Sequence, residues 1–149
     1  MKTYSGKAGV EYQSITIDFA DGDFTEAATT QTFNLAKPSL PGGRHRWMLL
    51  AARTYTRTGF TFSDGTAMNL QVGVSGATAS IIADAAITAI NTELTSVNSI
   101  LKNSGDTIQA LFTVSGGSSP LVSEVTAGKV DIHLVWALEP TALVSNIGA

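Results

Sequence analysis

His45 and His133 are the two histidines of the chain, and His133 lies two residues from Asp131. In an alternating stretch that spacing puts both side chains on one face. A His–Asp pair there could serve a nucleophile or form half of a metal site. General-base catalysis needs a partner nucleophile and an oxyanion site as well. No G-x-S-x-G elbow supplies them, and Gly73-Val74-Ser75-Gly76 misses that spacing. The pair therefore reads as the polar outer face of an edge strand. Ser115-Gly116-Gly117-Ser118-Ser119 could offer backbone amides to an anion, but a glycine-rich turn between strands accounts for it equally. Asp18, Asp21, Asp23 and Glu26 gather hard oxygen ligands around a turn, without the D-x-[DN]-x-[DN]-G spacing of a calcium loop. They read as a solvated turn. No Walker loop and no G-x-G-x-x-G is present. Cysteine is absent, so thiolate nucleophiles, disulfides and zinc–thiolate sites are excluded. The expectation is a chain with no catalytic residue, no cofactor and no metal, hence not an enzyme.

The remaining charge is arranged for association. Arg44, His45 and Arg46 stand at the entrance of a long apolar run, and Arg53, Tyr55 and Arg57 share one face near its end. The chain as a whole is acidic, with net charge −3 and a pI near 5.2. No aromatic ladder beyond Tyr55 accompanies the arginines, which argues against nucleic acid. A basic patch on one subunit facing the acidic turn of a neighbour would set orientation more than affinity. The expected inter-subunit contacts are therefore Arg44, Arg46, Arg53, Tyr55, Arg57, Asp21, Asp23 and Glu26. Trp47 and Trp136, at apolar strand positions, are expected in the core.

The elements that carry these residues are mostly strands. A chain of 149 residues with 44% hydrophobic content can bury a core as one domain. Its 14% charged content is well below that of an average soluble domain, which favours a surface partly covered by partners. No hydrophobic signal core opens the sequence and no apolar run is long enough for a membrane helix. Residues 1–11 read as a polar N-terminal arm, 12–140 as a single β-sandwich domain, and 141–149 as a C-terminal tail. Alternation marks strands at Tyr12–Phe19, Thr29–Ala36, Arg46–Thr58, Met68–Ser75, Asp106–Ser115 and Lys129–Leu138, with a short one at Leu121–Thr126. Lys37–Gly43, with two prolines and two glycines, is a corner, and Ala127-Gly128 a turn. The runs at 46–58 and 68–75 read as neighbouring antiparallel strands. From Ile81 to Lys102 the apolar residues fall at 81, 82, 85, 86, 89, 90, 94, 97, 100 and 101, which predicts a short helical insertion around 81–102. The fold class is all-β, a β-sandwich and more narrowly a jelly roll, with that insertion over one open end or edge.

Three stretches carry a family resemblance: TFNLAKPSLPGGRHRWMLLAARTYTRTGF, MNLQVGVSG with its ADAAITAINTE continuation, and LVSEVTAGKVDIHLVWAL. Together, over about two thirds of the chain, they resemble the capsid decoration or auxiliary head proteins of tailed bacteriophages. The resemblance implies a compact β-sandwich or jelly roll that binds and stabilises the capsid lattice, commonly as a trimer. The implied partners are the major capsid protein or other virion subunits and copies of the same chain, with no nucleic acid and no membrane. The implied location is the virion, after synthesis in the host cytoplasm, and the arm could extend onto a neighbour. A tail, connector or fibre component is the nearest alternative. A carbohydrate-binding β-sandwich module is the second, and it would need exposed aromatics on one face.

Overall fold

The computed structural model describes residues 1–6, 10–35, 45–96, 100–102 and 107–140. Ten strands follow in order: β1 (Lys2–Gly6), β2 (Val10–Asp18), β3 (Thr30–Leu35), β4 (His45–Phe62), β5 (Ala67–Val74), β6 (Ala77–Ala86), β7 (Glu93–Thr95), β8 (Ile100–Lys102), β9 (Ile108–Ser115) and β10 (Val125–Pro140). Two short 3-10 turns, Phe19–Asp21 and Val122–Glu124, interrupt them. All pairings between these strands are antiparallel. They form two sheets. The larger runs β1-β2-β10-β4-β7 with β8 also on β4, and the smaller runs β3-β9-β5-β6.

Period-two alternation gives each sheet one apolar face. In the larger sheet Ile15 and Ile17 of β2 and Val130, Ile132, Leu134 and Trp136 of β10 are fully buried. In the smaller sheet Met68, Leu70 and Val72 of β5 and Ile108, Ala110 and Phe112 of β9 are too. The two faces share one hydrophobic core. Four phenylalanines knit it at one end. Phe24 stands edge-on to Phe33, Phe60 and Phe112 at centroid distances of 6.0, 5.7 and 5.4 Å. Phe60 belongs to the larger sheet and Phe33 and Phe112 to the smaller, so this cluster ties the layers together. Trp136 lies in the core as expected, its indole N–H donating to Gln13 Oε1 at 2.9 Å. The Trp47 side chain, the Lys37–Gly43 corner and the 141–149 tail lie outside the described residues. Residues 2–6 of the N-terminal segment run along β2 as β1.

The helix expected around 81–102 does not form; that segment holds β6, β7 and β8. Its spacing misleads because β6 is irregular. The register against β5 shifts twice, from Leu70↔Ala85 to Val72↔Ile82 and from there to Val74↔Ala77, and Ile81 lies in the second shift, where five residue steps of β6 oppose two of β5. Such a bulge turns consecutive residues the same way, and Ile81 and Ile82 are both buried. The adjacent apolar pair that imitates a helix face is a strand that changes phase. From Ile87 to Thr92 the chain, turning at residues 89–91, then crosses between the sheets. Ile87 N donates to Met68 O of β5, while Thr88 O and Thr92 O accept from Phe60 N and Thr56 N of β4.

Two further expectations are corrected. The runs at 46–58 and 68–75 are not neighbours: β4 pairs with β10, β7 and β8, and β5 with β6 and β9. The linker between them carries the chain from one sheet to the other. Ala127-Gly128 is not a turn but part of β10, at a register shift against β4. Gly128 has φ +151, and a Cβ there would stand 2.2 Å from the Phe60 ring. The glycine serves the bulge and the close approach of the ring.

Candidate functional site: the outer face of the larger sheet

The polar positions of β2, β10, β4 and β7 line up by register across the outer face of the larger sheet. One row is Tyr12, Val135 and Ala51. The next is Ser14, His133, Arg53 and Thr95, and the third is Thr16, Asp131, Tyr55 and Glu93. Thr16 and Asp131 lie in a smaller hollow on the far side of Arg57, while the first row and the β4 and β7 ends of the other two line an open groove of about 800 Å³ bordered by Tyr12, Arg53, Tyr55, Arg57, Glu93 and His133. Its floor is the β10–β4 pairing. The register there passes from Val135↔Ala51 to Trp136↔Leu49, and at this bulge Leu50 and Ala51 both face outward.

The groove is internally charge-paired. Arg57 Nε meets Asp131 Oδ2 at 2.6 Å, and Thr16 Oγ1 donates to Asp131 Oδ1 at 2.8 Å. Arg53 Nε lies 3.0 Å from Glu93 Oε1. Tyr55 Oη donates to Asn91 Oδ1 at 2.6 Å. Asn91 holds a left-handed backbone, φ +64, which asparagine tolerates better than most residues. Asp131 is 5% exposed and both of its oxygens have partners other than His133. The His–Asp pair shares a face, as the spacing predicts, but the carboxylate is committed to Arg57 and Thr16. Among the described residues, no three His, Asp or Glu side chains gather to hold a metal ion.

Of the expected contact residues, the fold brings Arg53, Tyr55 and Arg57 together in the groove. Arg46 lies in β4 opposite Glu139, described by its backbone alone, and Arg44 lies outside the described residues. The acidic turn stands apart from the groove. Asp18 caps the first 3-10 turn by accepting from Ala20 N and meets Lys129 Nζ at 2.6 Å. Asp23 accepts from the Met1 amino group at 2.7 Å and from Asp18 N at 2.9 Å. Gln31, nearly buried, holds the segment down by donating to Asp23 O and accepting from Thr25 N. Asp21 and Glu26 are exposed. The cluster is organised by hydrogen bonds to its own chain.

The glycine-rich loop is likewise committed. Asp64 accepts from Ser118 N at 3.0 Å and Ser119 N at 2.9 Å, so the amides that could cradle an anion hold a side chain instead. Gly116 and Gly117 take φ +77 and +79 to make this possible. The Ser119 and Ser118 amides, aided by Gly65, hold the Asp64 carboxyl below its ordinary value, against a smaller opposing effect of burial.

Sequence reasoning missed Tyr12, Asn91, Glu93, Thr95 and Ser96. Tyr12 carried a usable signal, since it shares the period-two face of Ser14 and Thr16 rather than that of Ile15 and Ile17. The other four were hidden by the helical reading of their segment.

No family model and no curated protein matches the chain. Among solved structures, a chain of the "Cyanophage Pam1 capsid asymmetric unit" is similar, with 16% sequence identity and a TM-score of 0.50. The likeness covers 91% of this chain and 85% of that one. At that identity it establishes a shared fold, and it runs through both sheets rather than a fragment of one.

Proposed function

We propose that this chain is a non-enzymatic virion structural protein of a tailed bacteriophage, a decoration or cement subunit that binds and stabilises the capsid lattice. The observation that carries the reading is the likeness, over nearly the whole of both chains, to a chain of a capsid asymmetric unit. A capsid neighbour favours the head over a tail, connector or fibre. Strand order supports a jelly-roll reading of the sandwich. β2-β10-β4-β7 in one sheet and β3-β9-β5-β6 in the other are the two halves of a chain that changes sheet at each of 2→3, 3→4, 4→5, 6→7, 8→9 and 9→10. The low charged content fits a surface partly covered by other subunits.

In this reading the chain works as a homo-oligomer, a trimer, seated on the major capsid protein. Its outer sheet face and acidic turn supply the contacts: Arg53, Tyr55 and Arg57 on one side, Asp21, Asp23 and Glu26 on the other. Binding the assembled shell but not its free subunits would stabilise the shell by mass action. Light scattering behind a sizing column tests the assembly step. A trimer is expected for the wild type, and a shift toward monomer for Arg53→Glu. Arg53 is the cleaner position because its side chain is 60% exposed, so the change leaves the core intact. An Arg53→Glu oligomer as stable as wild type would remove this face from the interface.

A further inference from the structure

The outer groove has a chemistry that contact between charged subunits does not require. Its ionic groups cancel: Arg53 is set against Glu93 and Arg57 against Asp131. An anionic ligand would have to break these pairs, and a cationic one would meet the arginines. The row of Tyr12, Val135 and Ala51 forms an apolar strip beside the two polar rows, and Tyr12 is 60% exposed. That is a large aromatic surface left to solvent on an otherwise polar sheet face. Tyr55 is held in place by its bond to Asn91, so its ordering cost is already met before any ligand arrives.

An apolar strip next to balanced donors and acceptors matches one class of ligand. A pyranose ring has a C–H face that packs on an aromatic ring and a rim of hydroxyls, each both donor and acceptor. The Arg53–Glu93 pair presents N–H donors and carboxylate acceptors side by side, with more capacity than the contact between them uses. His133 and Ser14, adjacent across the strands, extend the polar row. The groove volume of about 800 Å³ fits a few sugar residues. We propose that this groove is a binding site for a neutral oligosaccharide, with Tyr12 as the stacking platform and Arg53, Glu93 and His133 as hydroxyl partners. The groove lies on the face that the subunit contact proposed above would use, so the oligosaccharide and that contact compete for it.

The test is an amide NMR titration of the full chain with cellohexaose, maltohexaose, xylohexaose and chitohexaose, and with oligogalacturonate as the charged comparator. The expected result is saturable shifts with at least one neutral sugar, confined to Tyr12, Arg53, Tyr55, Glu93, His133 and their strand neighbours, and little changed by added salt. Tyr12→Ala should weaken that binding by about tenfold or more, the scale of one lost stacking contact. Glu93→Gln should weaken it as well. Both side chains are exposed, so both variants should keep the wild-type melting transition. No shift from any neutral sugar at millimolar concentration overturns the proposal. So does binding of oligogalacturonate alone that salt abolishes, and so does binding that survives both substitutions unchanged.

Discussion

Asp64 closes the Ser115–Ser119 loop by taking two amides that would otherwise point at solvent. Because those amides favour the ionised form, its carboxyl titrates below the ordinary 3.8 in the folded chain. A depressed folded value contributes stability that is present above the unfolded value and lost as pH falls through the folded one. The expected outcome for Asp64→Asn is a lower melting temperature at neutral pH. The gap to wild type should narrow as the solution is acidified below the ordinary carboxylate range, as followed by thermal melts across pH. Thr54 behaves oppositely. Its hydroxyl is buried without a hydrogen-bond partner, a cost that nothing local offsets. Thr54→Val keeps the shape and removes the orphan, and should raise stability by about 1 kcal/mol in chemical denaturation. The sequence made the outward face of β4 readable, because Arg53, Tyr55 and Arg57 alternate with Thr54 and Thr56. It could not reveal what each side chain meets. Asp131 looks like the partner of His133 along the strand, but the partner that matters is Arg57, across the β4–β10 ladder and 74 residues away.

At the scale of elements, regular alternation was legible and phase changes were not. β2, β5, β9 and the Lys129–Leu138 stretch of β10 follow the two-residue period through the core, and the extents of the first three follow from it to within about two residues, whereas β10 begins earlier, at Val125. β6 does not, since a bulge makes Ile81 and Ile82 both face inward and the residue pairs imitate a helix. Ala127-Gly128 misled for a related reason, since the glycine that reads as a turn relieves a bulge under the Phe60 ring. If β6 is a bulged strand, Ile81→Ala and Ile82→Ala should each destabilise by about 3 kcal/mol, the cost of a truncated core aliphatic. Exposed Asp84, bonded to Asn69 across the ladder, should tolerate Asp84→Ala within about 0.5 kcal/mol. Denaturant midpoints with unchanged m-values check both. Misreading this segment also concealed Glu93, Thr95 and Ser96, so the β7 side of the groove was out of reach before the strands were placed.

At the scale of the molecule, the partition into two sheets could not be read from the strands alone. The runs that form β4 and β5 are consecutive in sequence and alternate alike, yet the connection between them changes layers. What decides this is the pairing of β10, whose long ladder occupies one side of β4, with β7 and β8 taking the other. The resulting larger sheet turns its charged, groove-bearing face outward, and assembly through that face is the centre of the functional reading. The most direct measurement is electron microscopy of intact particles from the source culture, labelled with an antibody raised against the purified chain. Label on particle heads at a fixed ratio to the major capsid protein is the expected result. Particles that carry no label, with the chain recovered only in the particle-free fraction, would contradict it.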